Sequence, residues 1–249
     1  MTLWRLELLR LIRTHRAISL TSVYVFFGLS GPLIARYLAE IIDRFGGDEM
    51  TVIVPEAVPA DGIIQFASSA QQIGLLVAVV VAAGALTLNA VPEISIFLRT
   101  RVPSAVRLVI PRYVASAAAI AASYVIGLAI AWYETAVLIG GLPAGGMLLG
   151  ALLGILYLAF AVAVAAAFGS RLGSVVGTAA ATLLVLLMLP IAGIADAVGR
   201  WLPSHLVGAQ VDLVKGGSAT DYVGTTIVTI VTIAILLTVA VQWAESREL

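Results

Sequence analysis

The 249-residue sequence contains no cysteine, a single lysine and two histidines. Without cysteine the chain forms no disulfide bond, thiol nucleophile or cysteine-ligated iron–sulfur cluster. The lysine, Lys215, is followed by glycine, so the sequence has no Walker A motif for binding nucleotide phosphates. Charge is scarce as well, because only 11% of the residues are charged and the formal net charge is zero. A basic surface for binding nucleic acid is therefore not indicated.

Apolar residues dominate instead. They make up 61% of the sequence, and the mean hydropathy is +1.09. A water-soluble fold needs a polar surface that this composition does not supply. The apolar residues come in runs of about 20, the length of helix that crosses the hydrocarbon core of a bilayer. We therefore expect an all-α polytopic membrane protein with a single transmembrane domain over residues 1–249.

The apolar runs predict six membrane-spanning helices, because lipid offers no partners for backbone polar groups and each span must pair its own. The predicted spans are residues 17–38, 63–90, 113–132, 147–168, 174–198 and 223–243. The first run is too long for the apolar part of a signal peptide and has no A-x-A cleavage site, so we interpret it as a span.

The basic residues are distributed unevenly between the two sides of the membrane. Ten arginines precede span one, lie between spans two and three, or follow spans four and six, whereas three arginines and Lys215 lie on the other side. The positive-inside rule places both termini in the cytoplasm. The two histidines, His15 and His205, then lie at opposite faces. They cannot share a metal ion or act as a catalytic pair.

The first 16 residues have the pattern of a helix that lies on the inner membrane surface. Apolar side chains recur at helical spacing from Trp4, and Arg5, Arg10 and Arg13 can reach lipid phosphates. A basic segment that only sets the topology is an alternative interpretation.

The predicted cytoplasmic loop over residues 91–112 gathers much of the scarce charge. Its charged residues are Glu93, Arg99, Arg101, Arg107 and Arg112, and its prolines are Pro92, Pro103 and Pro111. Prolines predict short helical pieces, and the mixture of exposed apolar residues and arginine is typical of a docking surface. The alternative is a topology-setting loop that binds only anionic lipid.

The segment at residues 199–222 is predicted on the outer side. A short helix is expected after Pro203, with Trp201, His205 and Leu206 among the residues on one face. A tryptophan beside polar residues suits the membrane interface, so we expect this segment to dip into the outer leaflet.

Glycines that recur every four residues predict close helix packing. One set is Gly146, Gly150 and Gly154, and the other is Gly169, Gly173 and Gly177. Small residues at this spacing let helix backbones approach closely in lipid. A substrate path or a subunit interface are the alternatives to general bundle packing.

Polar residues inside the spans are few and uncharged at the span centres. Candidates for a substrate path are Gln71, Gln72, Asn89 and Tyr124, and further polar groups are Tyr24, Ser123, Tyr157 and Thr182. Each could equally be an interhelical hydrogen-bond partner. Since no Asp or Glu lies at the centre of a span, ion-coupled transport is disfavoured and an amphipathic or lipid-like cargo is favoured.

These features resemble the permease subunits of the ABC-2 family of ATP-binding-cassette transporters, whose members include drug, antibiotic, polysaccharide and lipid exporters. In that family the loop between spans two and three has an acidic residue, an arginine, a proline, and later a basic residue and tyrosine. The corresponding residues here are Glu93, Arg99 or Arg101, Pro103, Arg112 and Tyr113. The resemblance covers essentially the whole chain, although Ile and Ser follow Glu93 where the family often has Gly-Thr. The outer segment also resembles the short re-entrant helices of the family.

The resemblance implies a transport subunit that binds no cofactor itself. Two ATP-binding subunits, which carry ATP and Mg²⁺, would dock on the loop and the N-terminal helix, and a second permease subunit, identical or different, would complete the path. The protein would then lie in a prokaryotic plasma membrane. An ion-coupled secondary transporter is the first alternative. The second is a membrane enzyme acting on lipid, with the outer acids Asp196, Asp212 and Asp221 as its candidate residues.

Overall fold

The computed structural model describes residues 14–45, 56–87, 104–194 and 196–246. These residues form helices and no strands. The long helices are α1 (Arg16–Phe45), α2 (Pro59–Leu86), α3 (Ala105–Leu138), α4 (Ala144–Arg171), α5 (Val175–Ala192) and α8 (Val223–Glu245), and the short helices α6 (Asp196–Gly199) and α7 (Ala209–Val214) precede α8. Six helices are long and apolar enough to cross a membrane. The prediction of an all-α chain with six such helices is confirmed.

The helices alternate in direction and give the bundle two chemically different ends. At one end the Arg16 guanidinium lies beside Gly84 of α2, and Thr87 donates a hydrogen bond to Thr178 of α5 over 3.1 Å. The described arginines at this arginine-rich end are Arg16, Arg107, Arg112 and Arg171. The opposite end, which we call the short-helix end, carries α6, α7 and the start of α8.

Helix α4 forms the centre of the bundle. In the most apolar 18-residue stretch of α4, 56% of the residues are buried, whereas the corresponding share in α8 is 17%. All residues from Ala161 to Ala167 are buried, and most of them are alanine. Small side chains on every side of a helix allow several neighbours to pack closely at once. Helix α4 contacts α2, α3, α5, α7 and α8.

A second close contact joins α1 and α3 where two glycines cross. A Cβ atom on Gly28 would lie 2.5 Å from the carbonyl oxygen of Gly127, and a Cβ on Gly127 would lie 2.5 Å from the carbonyl oxygen of Tyr24. No side chain fits in that space. The two backbones can therefore meet only because both positions are glycine.

Helix α3 begins earlier than predicted. It starts at Ala105, so Arg107 and Arg112 lie on a helix and not in the loop that was expected to extend to residue 112. Pro111 lies inside the helix, although prolines were expected to divide this region. Proline removes one backbone hydrogen bond but does not end a helix whose flanking residues are held by tertiary packing. Leu108, Val109 and Tyr113 supply that packing, since all three are buried.

Helix α5 ends earlier than predicted, at Ala192 and not near residue 198. Pro190 lies two residues before the end, and Gly193 follows the last residue. Glycine is common just after a helix, and proline weakens the last turn because it donates no backbone hydrogen bond.

The segment after α5 contains the short helix that Pro203 predicts. Residues Pro203–Gly208 form a 3₁₀ helix with proline at its first position, where its fixed φ angle suits helix initiation, and α7 continues from it. Pro203, Leu206 and Ala209 are buried against the bundle. Trp201 is instead about half exposed and covers Gly224 at the start of α8.

Candidate functional site

A small cavity lies between α1, α2, α3, α4 and the segment that contains α7. Its volume is about 40 Å³. Five polar side chains line it, and we call it the tyrosine–glutamine cavity: Tyr24, Gln71, Tyr124, Tyr157 and Gln210. The remaining lining residues are Ala67, Ala70, Gly154, Leu158, Leu206 and Val207. Helices from both halves of the chain therefore contribute to one uncharged site.

Tyr24 is the most enclosed of these polar residues. Its side chain is 0% exposed, and its hydroxyl has no hydrogen-bond partner among the described residues. The ring packs edge-to-face on Tyr124, with ring centroids 5.9 Å apart and planes at 83°. Gly74 provides the space for this ring, since a Cβ there would lie 2.9 Å from Cε1 of Tyr24.

Tyr124 and Gln210 join α3 to α7 across the cavity. The Tyr124 hydroxyl donates to Oε1 of Gln210 over 3.5 Å, and Nε2 of Gln210 donates to the sulfur of Met147 over 3.5 Å. The first distance is long for a hydrogen bond and thioether sulfur is a weak acceptor, so both interactions are weak. The hydroxyl and the amide therefore keep capacity for a further partner.

Gly150 and Gly154 of α4 make room for these two side chains. A Cβ on Gly150 would lie 2.8 Å from Oε1 of Gln210, and one on Gly154 would lie 2.6 Å from the Tyr124 hydroxyl. A Cβ on Gly146 would lie 2.5 Å from the carbonyl oxygen of Leu213. The predicted packing role of this glycine set is confirmed. In the second set Gly169 meets Leu86, but Gly173 and Gly177 meet no other element.

Gln71 reaches the cavity through an irregularity in α2. Residues Ala70–Gly74 form a π-helical turn inside the otherwise α-helical span. Such a turn widens the helix by one residue and changes which side chains face inward, and π turns are frequent at functional sites. Gln71 lies beside the hydroxyl of Tyr157. The next residue, Gln72, is exposed, and its amide donates to Ser68 over 3.4 Å.

The cavity offers hydrogen-bond donors and acceptors without charge. Hydroxyl and primary amide groups both donate and accept. An ion there would have no opposite charge among the lining residues, and burying an uncompensated charge is costly. The site therefore suits an uncharged polar group.

The structure brings together some of the predicted path residues. Gln71 and Tyr124 share the cavity, Gln72 faces outward, and Asn89 lies outside the described residues. Gln210 was not predicted, because the candidate polar residues were taken from the six predicted spans and Gln210 lies in the segment between spans five and six. The apolar spacing of Leu206, Ala209 and Leu213 indicates a buried helical face, and Gln210 follows Ala209 directly.

Most of the residues expected to dock the ATP-binding subunits lie outside the described residues. These are Trp4, Arg5, Arg10 and Arg13 of the N-terminal segment and Glu93, Arg99, Arg101 and Pro103 of the loop. Of the remaining two, Arg107 is exposed and Arg112 is buried with 4% exposure. Both lie on the first turns of α3, at the arginine-rich end.

A polar cluster lies at the short-helix end. The Tyr222 hydroxyl donates to Oδ2 of Asp212 over 3.0 Å, and the His205 ring stacks on Tyr222 with centroids 5.1 Å apart. Within the described ranges no three His, Asp or Glu side chains are grouped to hold a metal ion. The cluster ties α7 to the start of α8.

Compared with known proteins, the chain matched no family model, no curated protein and no solved structure.

Proposed function

We propose that the chain is the membrane-spanning permease subunit of an ATP-binding-cassette exporter, with an amphipathic cargo such as a drug, an antibiotic or a lipid-like molecule. Two copies of a separate ATP-binding subunit carry ATP and Mg²⁺. A second permease subunit completes the translocation path. The protein lies in a prokaryotic plasma membrane with both termini in the cytoplasm.

The observation that carries this proposal is the uncharged polar cavity inside the bundle. Ion-coupled transporters place carboxylates or other ionisable groups in the membrane to bind the coupling ion. The tyrosine–glutamine cavity has only hydroxyl and amide groups. Movement of cargo through such a site therefore needs an energy source outside the chain. A separate ATP-binding subunit would supply it.

The arginine-rich end supports the proposed docking site for that subunit. Arg107 and Arg112 lie on the first turns of α3, immediately after the segment with Glu93, Arg99 and Arg101. A helix that begins at the docking segment and extends to the cavity residue Tyr124 gives a direct mechanical connection. Movement of the loop would then displace α3 as a rigid element.

The short-helix end supports the proposed re-entrant segment. Leu206, Ala209 and Leu213 are buried, and α7 packs on the first turns of α4. We propose that this segment dips into the outer leaflet and closes the cavity toward the outside. In the most apolar 18-residue stretches of α5 and α8, only 22% and 17% of the residues are buried. Both helices therefore retain apolar faces for lipid or for the second permease subunit.

The first test is purification of the protein from its native membrane in mild detergent, with mass spectrometry of the proteins recovered. We expect a soluble ATP-binding-cassette protein in the sample. A second six-span chain would identify a heterodimer. Recovery of the chain without an ATPase in several detergents would contradict the proposal and favour a secondary transporter.

The second test uses Glu93→Ala, with Glu134→Ala as the control. Glu134 lies on the last turns of α3, at the short-helix end. We expect Glu93→Ala to weaken recovery of the ATPase or to uncouple transport while the chain still inserts, and Glu134→Ala to have neither effect. Normal docking and transport in Glu93→Ala would contradict the proposed loop contact.

Transport that persists without ATP and follows an ion gradient would favour the secondary transporter. A divalent-ion requirement for lipid turnover would favour a membrane enzyme.

A further inference from the structure

We propose that the tyrosine–glutamine cavity is a binding site for an uncharged hydroxyl group, supplied either by water or by a hydroxyl of the cargo, which hydrogen-bonds to the Tyr24 side chain. The cargo as a source rests on the proposed function. Water as a source does not.

The Tyr24 hydroxyl is the first observation. A buried hydroxyl without a partner destabilises a fold, and native structures supply a partner to most such groups. Tyr24 is completely buried, borders the cavity and has no partner among the described residues. The cavity volume of about 40 Å³ exceeds the roughly 10–15 Å³ that one water molecule requires. The space therefore admits a water molecule or a single hydroxyl group.

The mixture of donors and acceptors is the second observation, and it selects a hydroxyl group. The phenol of Tyr24 can donate or accept, and the amides of Gln71 and Gln210 offer both kinds of atom. Gln210 uses its two ends only weakly, on Tyr124 and on the sulfur of Met147. A hydroxyl accepts from one wall and donates to another, whereas a hydrocarbon group would leave the Tyr24 hydroxyl without a partner.

The way in which the two amides reach the cavity is the third observation. Gln71 belongs to the π turn of α2, and Gln210 belongs to α7, which lies directly on Gly146 and Gly150 of α4. A regular α2, or side chains on these glycines, would displace one amide or the other. The π turn of α2, the short helix α7 and the glycines of α4 are three departures from a plain apolar bundle. All three act on the same small space.

The experiment places 3-fluorotyrosine at position 24 alone in the full chain, purified in lipid nanodiscs, and records the ¹⁹F resonance in H₂O and in D₂O. A fluorine in contact with water changes its chemical shift between the two solvents by more than exchange of the neighbouring hydroxyl hydrogen alone produces. The measurement is repeated with monoolein, an uncharged amphiphile with free hydroxyls, and with methyl oleate, which has none. The control carries 3-fluorotyrosine at position 113, which does not line the cavity. The Tyr113 hydroxyl donates a hydrogen bond of 3.3 Å to the carbonyl oxygen of Ala159.

We expect a solvent isotope shift at position 24 that exceeds the shift at position 113. A shift that monoolein leaves unchanged identifies water as the ligand. A shift that monoolein removes and methyl oleate does not, or a resonance that moves with monoolein alone, identifies a cargo hydroxyl. An isotope shift at position 24 no larger than that at position 113, together with no response to monoolein, would overturn the proposal. No ATP-binding subunit is present in this experiment, so its outcome is independent of the test of the proposed function.

A second measurement uses the sign of a stability change. If a hydroxyl ligand bonds to Tyr24, Tyr24→Phe loses that bond, and we expect its Tm to fall below that of the parent. If the cavity is dry, the same substitution removes an unsatisfied buried hydroxyl, and Tm stays level or rises. Either of these last results would overturn the proposal.

Discussion

Buried hydroxyl groups in this bundle fall into two chemical situations. The side chains of Ser170, Thr182 and Thr229 each donate to the backbone carbonyl four residues earlier, over 2.7 to 2.9 Å. The buried hydroxyls of Ser116 and Thr135 have no partner among the described residues. Neither borders the tyrosine–glutamine cavity, so no ligand is expected there. The two groups therefore respond oppositely to removal of the hydroxyl.

Ser116→Ala is expected to stabilise the protein. The substitution removes an unsatisfied hydroxyl, which costs about 1 kcal/mol or more when buried, and places a better helix former in α3. A gain of 1 kcal/mol raises Tm by about 2–4 °C in a chain of this length. Tryptophan fluorescence during heating in detergent measures the change. Ser170→Ala is the matched control, because its serine is equally buried but hydrogen-bonded, and its Tm is expected not to rise. A lower Tm for Ser116→Ala would show that the hydroxyl has a partner.

Gly28→Ala is expected to destabilise the crossing of α1 and α3. Its Cβ would lie 2.5 Å from the carbonyl oxygen of Gly127, so the backbones must separate. Overpacking of this kind costs about 1–3 kcal/mol. Gly145→Ala in α4 is the control, because a Cβ there meets nothing within 4 Å. Where the backbone is helical and the added Cβ meets nothing, the same exchange stabilises the fold by about 0.4–1 kcal/mol, because alanine restricts the unfolded chain. Opposite signs of the two Tm changes are the expected result, and equal changes would contradict the close crossing.

At the level of elements, the segment with α7 is the part of the fold that differs most from a simple connection. It follows α5 through several short turns, yet it places Leu206, Ala209 and Leu213 in the interior. Its anchors are the glycines of α4 on one side and the hydrogen bond between Tyr222 and Asp212 on the other. We therefore expect the segment to be held against the bundle and not to move freely in solvent.

Thiol labelling tests this packing directly, because the chain has no cysteine of its own. Leu206→Cys places a thiol at a side chain with 1% exposure, and Lys215→Cys places one at an exposed position in the same segment. We expect a water-soluble maleimide to modify position 206 at least about tenfold more slowly than position 215, since reaction at position 206 requires local opening of the segment. Equal rates at the two positions would contradict the packed arrangement of α7.

The sequence predicts the long helices well and the irregular elements poorly, for physical reasons that differ. A run of about 20 apolar residues must be helical in lipid, which is why α4 and α8 lie within a few residues of their predicted bounds. The early start of α3 was missed because Pro111 reads as a break, and only tertiary packing shows that it is not. Gln71 and Tyr124 could be recognised as polar residues within spans. Their meeting with Gln210 could not, because it depends on a π turn and on a short helix that lies over α4.

The whole molecule has a charge asymmetry along its axis. Of the described residues at the arginine-rich end, four are arginine and Glu245 is acidic. The described residues at the short-helix end include more acidic than basic ones: Arg36, Arg44, Arg200 and Lys215 against Glu40, Asp43, Glu56, Asp61, Glu134, Asp196, Asp212 and Asp221. The two ends therefore differ in the balance of basic and acidic residues that they present at the two faces of the membrane. Excess arginine is retained on the cytoplasmic side during insertion, and this effect sets the orientation of short loops.

The orientation can be determined by labelling two single-cysteine variants in cells that express the chain. Lys215→Cys lies at the short-helix end, and Ser246→Cys lies just after α8 at the arginine-rich end, and both positions are exposed. Because the arginine-rich end is expected in the cytoplasm, a membrane-impermeant maleimide should modify position 215 in intact cells and position 246 only after permeabilisation. The cysteine-free parent gives the background. The reverse pattern would place the arginine-rich end outside, where no ATP is available, and would remove the proposed docking site for an ATP-binding subunit. The hydroxyl site at Tyr24 would survive that result, because it depends only on contacts within the bundle.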